Sequence, residues 1–548
     1  VVRTPPPSIP DACEASSAPF FCDYVRRGLR ADPALGTTQE ERDRRVYQGG
    51  LTISTTLDPA VQAAAQQAVD QTVPRDNRVA AVEVVVQPGT GNVLAMAVNR
   101  GYGGDPARGQ TKQPLPTTAA FQPGSTFKIF TLAAALEQGY GTGTSFFAPA
   151  CYVSPLYRIG GGSGRQDGGG CADGFSNADP GEAGVYDMAR GTWLSVNTYF
   201  IQLEERVGVR AVADMAVRLG VPAARLAGVG PNDGSLTIGT RVVSPLDMAT
   251  AYATVAAHGL RCAPRWATSA TDGNRRPLKL AAPPPCQQVL PARVADTVTS
   301  VLEGVVTQGT GKNAAIGRPA AGKTGTTEGY SSAWYVGYTP DLVAAVEVGD
   351  PRGPVRYPLR DVTAAGQTYA QVYGGDLPAL IWSRSIAQAL ADRPVTDFAA
   401  ADPSVAAGTR GGSVDGAAPG GDYGRPGRGF PGGGTGGGGT GGGGTERIDT
   451  SGSAAAGSTT AGSADGTGTA AGTLGWGNAA GVEDFDDGSL SNWSVYDGPG
   501  HAGNGRRSPA AMSVSGGILT ITGDANGITG GMAWRLGCAK YGRWEARV

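Results

Sequence analysis

Apolar positions near the start of the ordered chain favour extended structure. Leu51-Thr-Ile-Ser-Thr-Thr56 is β-prone, and Asp58-Pro59 then supplies an N-cap and a first-turn proline for a helix over 60–69, rich in Ala and Gln. The run 79–86 is rich in Val, Pro88-Gly-Thr-Gly91 is a turn, and 92–98 runs back, which predicts a hairpin. The pattern then becomes Ala/Leu-rich and predicts helices over 125–138, 185–207, 209–219, 245–258 and 291–307. Strands return over 320–326, 333–338 and 342–348, with Thr339-Pro340-Asp341 as a turn, and a helix over 380–390 closes the region. Strands, then helices, then strands again imply an α+β domain over 47–396.

The flanks read differently. Residues 1–46 hold Pro, Arg, Asp and one short cysteine loop, and read as a connecting segment, with regular structure beginning near Gly50. Beyond about 397 the composition collapses into Gly, Ala, Ser, Thr and Pro, and 432–445 is nearly pure Gly with Thr spacers. Such a segment cannot bury a core, so 397–481 is expected to be a flexible linker. From 482 aromatic residues return, among them Phe485, Trp493, Tyr496, Trp534, Tyr541 and Trp544. Short alternating runs such as Met512-Ser-Val-Ser and Ile518-Leu-Thr-Ile-Thr522 predict the start of an all-β sandwich over 482–548. With no initiator Met at Val1 and a strand-like run into Val548, the chain reads as an internal piece of a longer protein.

Composition narrows the functional classes. The chain has 548 residues, enough for two or three domains. Its formal net charge is −2 and no basic face stands out, so nucleic acid is not an expected partner. No apolar run approaches the roughly 20 residues that span a bilayer. Cys13 and Cys22, Cys151 and Cys171, and Cys262 and Cys286 form sequence-local pairs that read as disulfides of an exported protein, with small buried thiols as the alternative. Cys538 is left over, to pair beyond this stretch. Metal-type C-x-x-C spacing is absent and there are only two histidines, so neither metal nor cofactor is expected.

The chemistry lies in three polar motifs in fixed order: Ser125-Thr126-Phe127-Lys128, Ser195-Val196-Asn197 and Lys323-Thr324-Gly325. Residues i and i+3 share a helical face, so Ser125 and Lys128 can meet. Pro123-Gly124 would put Ser125 at a helix N-terminus, where free N–H groups stabilise a developing anion. A neutral lysine can take the serine proton, and burial with a neighbouring Lys323 would depress the Lys128 pKa. Ser195 would relay a proton, and Asn197 would hold Lys128 and a substrate amide. Gly325 permits close approach to the backbone, the N–H of Thr326 would join that of Ser125 in an oxyanion hole, and Lys323 with the Thr324 and Thr326 hydroxyls suits a substrate carboxylate. Each motif alone fits a bland reading: an exposed helix start, a capping Ser/Asn pair, a strand end with an exposed lysine. Gly317-Arg-Pro-Ala-Ala-Gly-Lys-Thr324 also matches the phosphate-loop pattern, but no helix is expected to begin at Lys323, as that loop requires.

Taken together, 47–395 resembles the transpeptidase domain of class A penicillin-binding proteins of the actinobacterial type. Phe121-Gln-Pro-Gly-Ser-Thr-Phe-Lys128, Ser244-Pro-Leu-Asp-Met-Ala249, Ala321-Gly-Lys-Thr-Gly-Thr-Thr327, Ala333-Trp-Tyr-Val-Gly-Tyr338 and Val372-Tyr-Gly-Gly-Asp-Leu-Pro-Ala379 carry the likeness. The resemblance implies a penicillin-binding/serine β-lactamase-like fold and cross-linking of peptidoglycan stem peptides through an acyl-serine. Ser125 would be the nucleophile, Lys128 the base, and Ser195 and Asn197 the relay. Lys323, Thr324, Gly325 and Thr326 would serve the substrate carboxylate and oxyanion, with β-lactams acylating the same serine. Ser332 departs from the acidic or amide residue the family often places there, which bears on fine substrate positioning. Class A proteins also carry a glycosyltransferase domain, which nothing here matches; that domain and a membrane anchor are expected only in the parent protein, facing the cell wall outside the cytoplasm. From Asp484 the chain resembles the start of family 16 glycoside hydrolases and glucanase-like lectins, an incomplete jelly-roll sandwich that would contact glucan in the complete parent. Glu545 reads as a sandwich residue, since the catalytic carboxylate pair of that family is not present. Rival readings are a serine β-lactamase, for which no Glu-x-x-Leu-Asn loop is found between Ser195 and Lys323, a non-catalytic β-lactam-sensing or wall-binding protein, and a glucan-binding or glucan-cleaving protein with an inert middle.

Overall fold

Long uninterrupted apolar strands need cover on both faces, and the fold supplies it. In the computed structural model, which describes residues 13–157, 171, 174–410 and short stretches between 493 and 534, five strands form one antiparallel sheet. They are β1 (Ala80–Val86), β2 (Val93–Val98), β3 (Ala321–Thr326), β4 (Ser332–Tyr338) and β5 (Val343–Gly349), in the order β3-β4-β5-β1-β2. Every residue of β1, β2, β4 and β5 is buried. Helices Pro59–Thr72 and Leu377–Ala389 cover one face, while Pro245–Ala256, Ala292–Thr307 and Lys128–Glu137 belong to the core on the other. The 79–98 hairpin forms as expected, with Val82 opposite Val98. Asp58 caps its helix by accepting from the N–H groups of Ala60 and Val61. Ser244 and Asp247 close a reciprocal capping box on the Pro245–Ala256 helix.

The structure corrects several expectations. Regular structure begins well before Gly50: helices Pro19–Ala31 and Gln39–Gln48 occupy the supposed connecting segment. Phe20, Phe21, Val25 and Leu29 pack into the core. Buried Asp23 is held by Arg26, Arg27 and the Tyr102 hydroxyl, so polar residues that read as a linker are internal partners. The helix expected over 185–207 is broken. Strand Gly184–Tyr186, helix Met188–Trp193 and helix Asn197–Val207 replace it, because Ser195 adopts a left-handed φ of 63°. The helix expected from 125 opens as a 3₁₀ turn, Gly124–Phe127, and becomes α-helical at Lys128.

The tether expected from 397 begins too early. Phe398 packs edge-on to Tyr338 with ring centroids 5.6 Å apart. Helix Pro403–Ala407 docks through the N–H of Thr142 on Ala406 O at 2.9 Å, and the N–H of Thr409 bonds Gly139 O at 2.7 Å. The chain is therefore packed to Arg410, because its backbone groups find partners there.

All three sequence-local cysteine pairs are disulfides: Cys13–Cys22, Cys151–Cys171 and Cys262–Cys286. Among the described residues, no helix is long and apolar enough to cross a membrane. The chain divides into two units, Val1–Pro426 and Gly427–Val548, and the second is described only in short stretches from Trp493 on. Among its described strands, Trp493–Val495 pairs antiparallel with Met532–Trp534 and Met512–Ser515 with Ile518–Ile521, while Arg506–Arg507 pairs parallel with Ile528–Thr529. The Gly-rich run 432–445, Phe485, Tyr496, Cys538, Tyr541, Trp544 and Glu545 lie outside the described residues.

Candidate active site

The turn carrying Ser125 is clamped between the helical layer and β3. Thr126 Oγ1 donates to Pro123 O at 2.9 Å, and Tyr252 Oη donates to Thr126 O at 2.8 Å. Ser332 Oγ donates to Gln122 O at 2.8 Å, so this departure from the resembled pattern fixes the segment leading to Ser125. Gly124 has φ 57°, and a Cβ there would stand 2.9 Å from Thr326 O. A Cβ on Gly325 would stand 2.2 Å from Pro123 O. The close approach that Gly325 permits is thus made by the Ser125 turn itself.

Lys128 follows Ser125 by one 3₁₀ turn, its N–H bonded to Ser125 O. Its side chain is 1% exposed. Nζ lies 2.6 Å from Ser195 O, 2.7 Å from Asn197 Oδ1 and 3.3 Å from Ser195 Oγ. The first two atoms can only accept, so they take two N–H groups. A neutral amine has two N–H donors and one lone pair, which leaves the lone pair for a hydroxyl such as Ser195 Oγ. The Asn197 amide is oriented by its own Nδ2, which donates to Ser176 O at 3.0 Å. The left-handed backbone of Ser195 puts its carbonyl and hydroxyl on the same amine; an L-residue held in that region stores strain.

Burial pushes the Lys128 pKa well below the ordinary 10.5, nearby Lys323 pushes it further, and Glu182 opposes. Burial also lowers Lys323 to about 7, and its Nζ donates to Thr324 O at 3.2 Å. Two buried lysines in one site favour at least one neutral amine near neutral pH.

Side chains alternate along a strand, so Lys323 and Gly325 share one face of β3 and Thr324 and Thr326 the other. Thr324 Oγ1 pairs with Thr310 Oγ1 at 2.6 Å, and Thr326 Oγ1 accepts the N–H of Gly374 at 3.0 Å. Among the described residues Thr326 Oγ1 donates to no acceptor, so its proton is available to a ligand. β3 is an edge strand, so among the described residues its outer side has no strand partner.

The structure therefore brings Lys128, Ser195 and Asn197 into direct contact, sets Lys323 within electrostatic reach, and packs the Ser125 turn on Gly325 and Thr326. Sequence reading missed Glu182, Thr310 and Tyr252. Each is an isolated residue whose relevance depends on partners far away in the chain, so no local signal marks it.

The family model for the penicillin binding protein transpeptidase domain matches residues 81–364. The chain is 36% identical over 361 residues to penicillin-binding protein 1A of Mycobacterium tuberculosis, covering 62% of this chain and 40% of that protein. It is 33% identical over 370 residues to penicillin-binding protein 1A of Mycolicibacterium smegmatis, covering 64% of this chain and 42% of that protein. The chain thus spans about two fifths of the length of these relatives. Among solved structures, PonA1 from Mycobacterium tuberculosis in complex with penicillin V aligns with a TM-score of 0.55 at 29% identity, covering 67% of this chain and 93% of that one. Penicillin-binding protein 1A from Haemophilus influenzae shares the fold at 18% identity and a TM-score of 0.56, covering 70% of this chain and 72% of that one.

Proposed function

Because this chain belongs to the penicillin binding protein transpeptidase domain family, we propose that it is a serine D,D-transpeptidase that cross-links peptidoglycan stem peptides ending in D-Ala-D-Ala. The observation that carries the reading is the buried Lys128 amine, bonded to Ser195 and Asn197 one turn after Ser125.

The steps follow from these groups. Neutral Lys128 takes the Ser125 Oγ proton as Oγ bonds to the carbonyl carbon of the penultimate D-Ala. The N–H groups of Ser125 and Thr326 stabilise the oxyanion, and Lys323 with the Thr324 and Thr326 hydroxyls holds the terminal carboxylate. The C–N bond breaks, and the proton passes from Lys128 through Ser195 Oγ to the leaving D-Ala nitrogen. An amine of a second stem peptide then attacks the ester. Its proton returns along the same path, an amide forms, and Ser125 is released with its hydrogen. A β-lactam enters the first half of this cycle and stays on Ser125.

Three disulfides support a cell-wall-facing, extracytoplasmic setting, with the membrane anchor assigned to the parent protein. The antiparallel pairs and alternating runs after Trp493 support a glucanase- or lectin-like β module that would contact glucan in that parent.

The test is intact-mass analysis after incubation with a penicillin, with Ser125→Ala as control. A stable adduct on the wild type alone supports the reading. An adduct lost rapidly with drug hydrolysis would assign a β-lactamase, and no adduct would assign a non-catalytic binding protein.

A further inference from the structure

The segment 398–410, past the closing helix Leu377–Ala389, carries two large apolar side chains, Phe398 and Val405, among small and polar residues. Both are anchored. Val405 is buried on helix Pro403–Ala407, which Asp402 starts by accepting the N–H groups of Ser404 at 2.8 Å and Val405 at 3.2 Å. The N–H of Asp402 donates to Thr297 Oγ1, on helix Ala292–Thr307, at 3.3 Å. Phe398 packs against the core beside Tyr338. A stretch that only led away from the domain would need neither anchor.

The first anchor leads to the site through rings. Tyr338 is fully buried. Thr299 Oγ1 gives its own proton to Ala295 O at 3.0 Å, so the Tyr338 hydroxyl is the donor in their 3.0 Å contact. The Tyr338 ring meets that of Tyr252 edge to face, with centroids 6.3 Å apart and planes at 72°. Tyr252 Oη in turn holds Thr126 O, between Ser125 and Lys128. Phe398, Tyr338 and Tyr252 therefore form an unbroken contact path to the Ser125 turn. In a close-packed interior a ring that shifts must move its neighbour.

The second anchor reaches the elements that present Lys128 and Ser195. Helix Lys128–Glu137 runs out at Gly139, whose carbonyl accepts the N–H groups of Thr409 at 2.7 Å and Arg410 at 2.8 Å. Thr142 donates its N–H to Ala406 O at 2.9 Å, and its own carbonyl accepts the N–H of Met188 at 3.0 Å. Met188 opens helix Met188–Trp193, which leads into Ser195. A Cβ on Gly141 would collide with Ala407 O, so this joint is fitted backbone to backbone. The segment thus ties the far end of the Lys128 helix to the start of the one before Ser195.

We infer that 398–410 is a brace for the proposed reaction, with Phe398 as a positioning residue that acts through Tyr338 and Tyr252 on the Ser125 turn. The inference rests on the transpeptidase reading and adds to it a part of the chain beyond the closing helix. Phe398 serves no proton and holds no substrate atom. It closes the space beside Tyr338, which keeps Tyr252 seated and the Thr126 carbonyl fixed.

The experiment is stopped-flow acylation of the full chain by a fluorescent penicillin, which separates the limiting rate constant from the half-saturating concentration. Phe398→Ala should lower the rate constant about tenfold and leave the half-saturating concentration within about twofold. Phe398→Tyr keeps the ring and should restore the rate. Tyr252→Phe already cuts the link to Thr126, so adding Phe398→Ala to it should cost less than about twofold. Thermal unfolding of each variant identifies those that are folded. Phe398→Leu keeps apolar volume and stands in if the alanine variant unfolds, with an expected loss of about threefold. A folded Phe398→Ala or Phe398→Leu variant that acylates at the wild-type rate would overturn the brace and leave the segment a stability element. Equal losses with and without the Tyr252 hydroxyl would overturn it too. Failure of the wild type to label would overturn the transpeptidase reading, and the brace with it.

Discussion

Gly325 and Pro123 approach so closely that a Cβ on the glycine would stand 2.2 Å from the proline carbonyl oxygen. This contact locks the strand bearing Lys323 against the turn bearing Ser125. Neither backbone can yield without moving the other, and both carry groups of the proposed reaction. Gly325→Ala should therefore slow penicillin acylation by about a hundredfold or more, since misplacement by about 1 Å has that effect. Stopped-flow labelling with a fluorescent penicillin measures it; an alanine variant acylating at the wild-type rate would show that the contact relaxes freely.

The two lysines predict a bell-shaped pH profile. Lys128 acts as a base only when neutral, so acylation rises as pH climbs through its depressed pKa. Lys323 holds a carboxylate best when charged, and that charge is lost above about 7. The acylation rate constant should thus fall on the alkaline side with a midpoint near 7, a limb that belongs to the coupled pair. Lys323→Arg keeps the charge and should move that limb upward. A flat alkaline side in the wild type would remove Lys323 from carboxylate binding.

Asn197 holds the Lys128 amine at 2.7 Å and is itself held by Ser176 O. Asn197→Ala leaves a buried amine short of an acceptor and free to turn. Acylation should drop by about tenfold to a hundredfold, with a smaller loss of stability of about 1 kcal/mol. Kinetics and urea unfolding on the same sample separate the two. A large stability loss with unchanged acylation would make Asn197 purely structural.

The Cys151–Cys171 disulfide closes a 20-residue separation beside this acceptor. It ties strand Cys151–Tyr152 to strand Phe175–Ser176, and the next residue, Asn177, accepts the N–H of Thr198 at 2.9 Å. Replacing both cysteines with serine should lower stability by about 3 kcal/mol on the chain-entropy view. It should also slow acylation several-fold by loosening the start of the Asn197 helix. Thermal unfolding with penicillin labelling checks both; a lower unfolding temperature with unaltered labelling would confine the disulfide to stability.

Glu347 faces Trp334 across β5 and β4, and among the described residues Glu347 Oε1 and Trp334 Nε1 are both buried without a hydrogen-bond partner. Burial raises the Glu347 pKa well above its ordinary 4.5. The native state thus keeps a proton that the unfolded chain releases. Its contribution is full below the unfolded pKa and is lost as pH rises towards the folded one. Glu347→Gln should flatten the decline of stability with rising pH, with a gain on the order of 1 kcal/mol at pH 8. Denaturant titrations at pH 5 and pH 8 measure the slope, and equal slopes in both proteins would mean that Glu347 is ionised in the fold.

Much of this protein was legible along the chain. The Val-rich hairpin, the capped helix after Asp58, the α+β order and the cysteine pairs follow from signals a few residues long: periodicity, an N-cap, turn residues and spacing. Ser125, Lys128, Ser195, Asn197 and Lys323 were named as a set because their motifs are short and ordered. Tertiary structure decided what depends on distant partners. Asp23 looks like linker polarity until Arg26, Arg27 and Tyr102 surround it. The helix pattern over 185–207 gives no sign that Ser195 will turn left-handed, because the break is held by the buried lysine 67 positions earlier. Glu182, Thr310 and Tyr252 gain meaning only when the fold brings separate segments together. The sequence by itself determined which groups the proposed reaction uses. The packing of β3 against the Ser125 turn decided where their atoms stand, because burial and distance, which set a lysine's charge and a hydroxyl's reach, are properties of the folded chain alone.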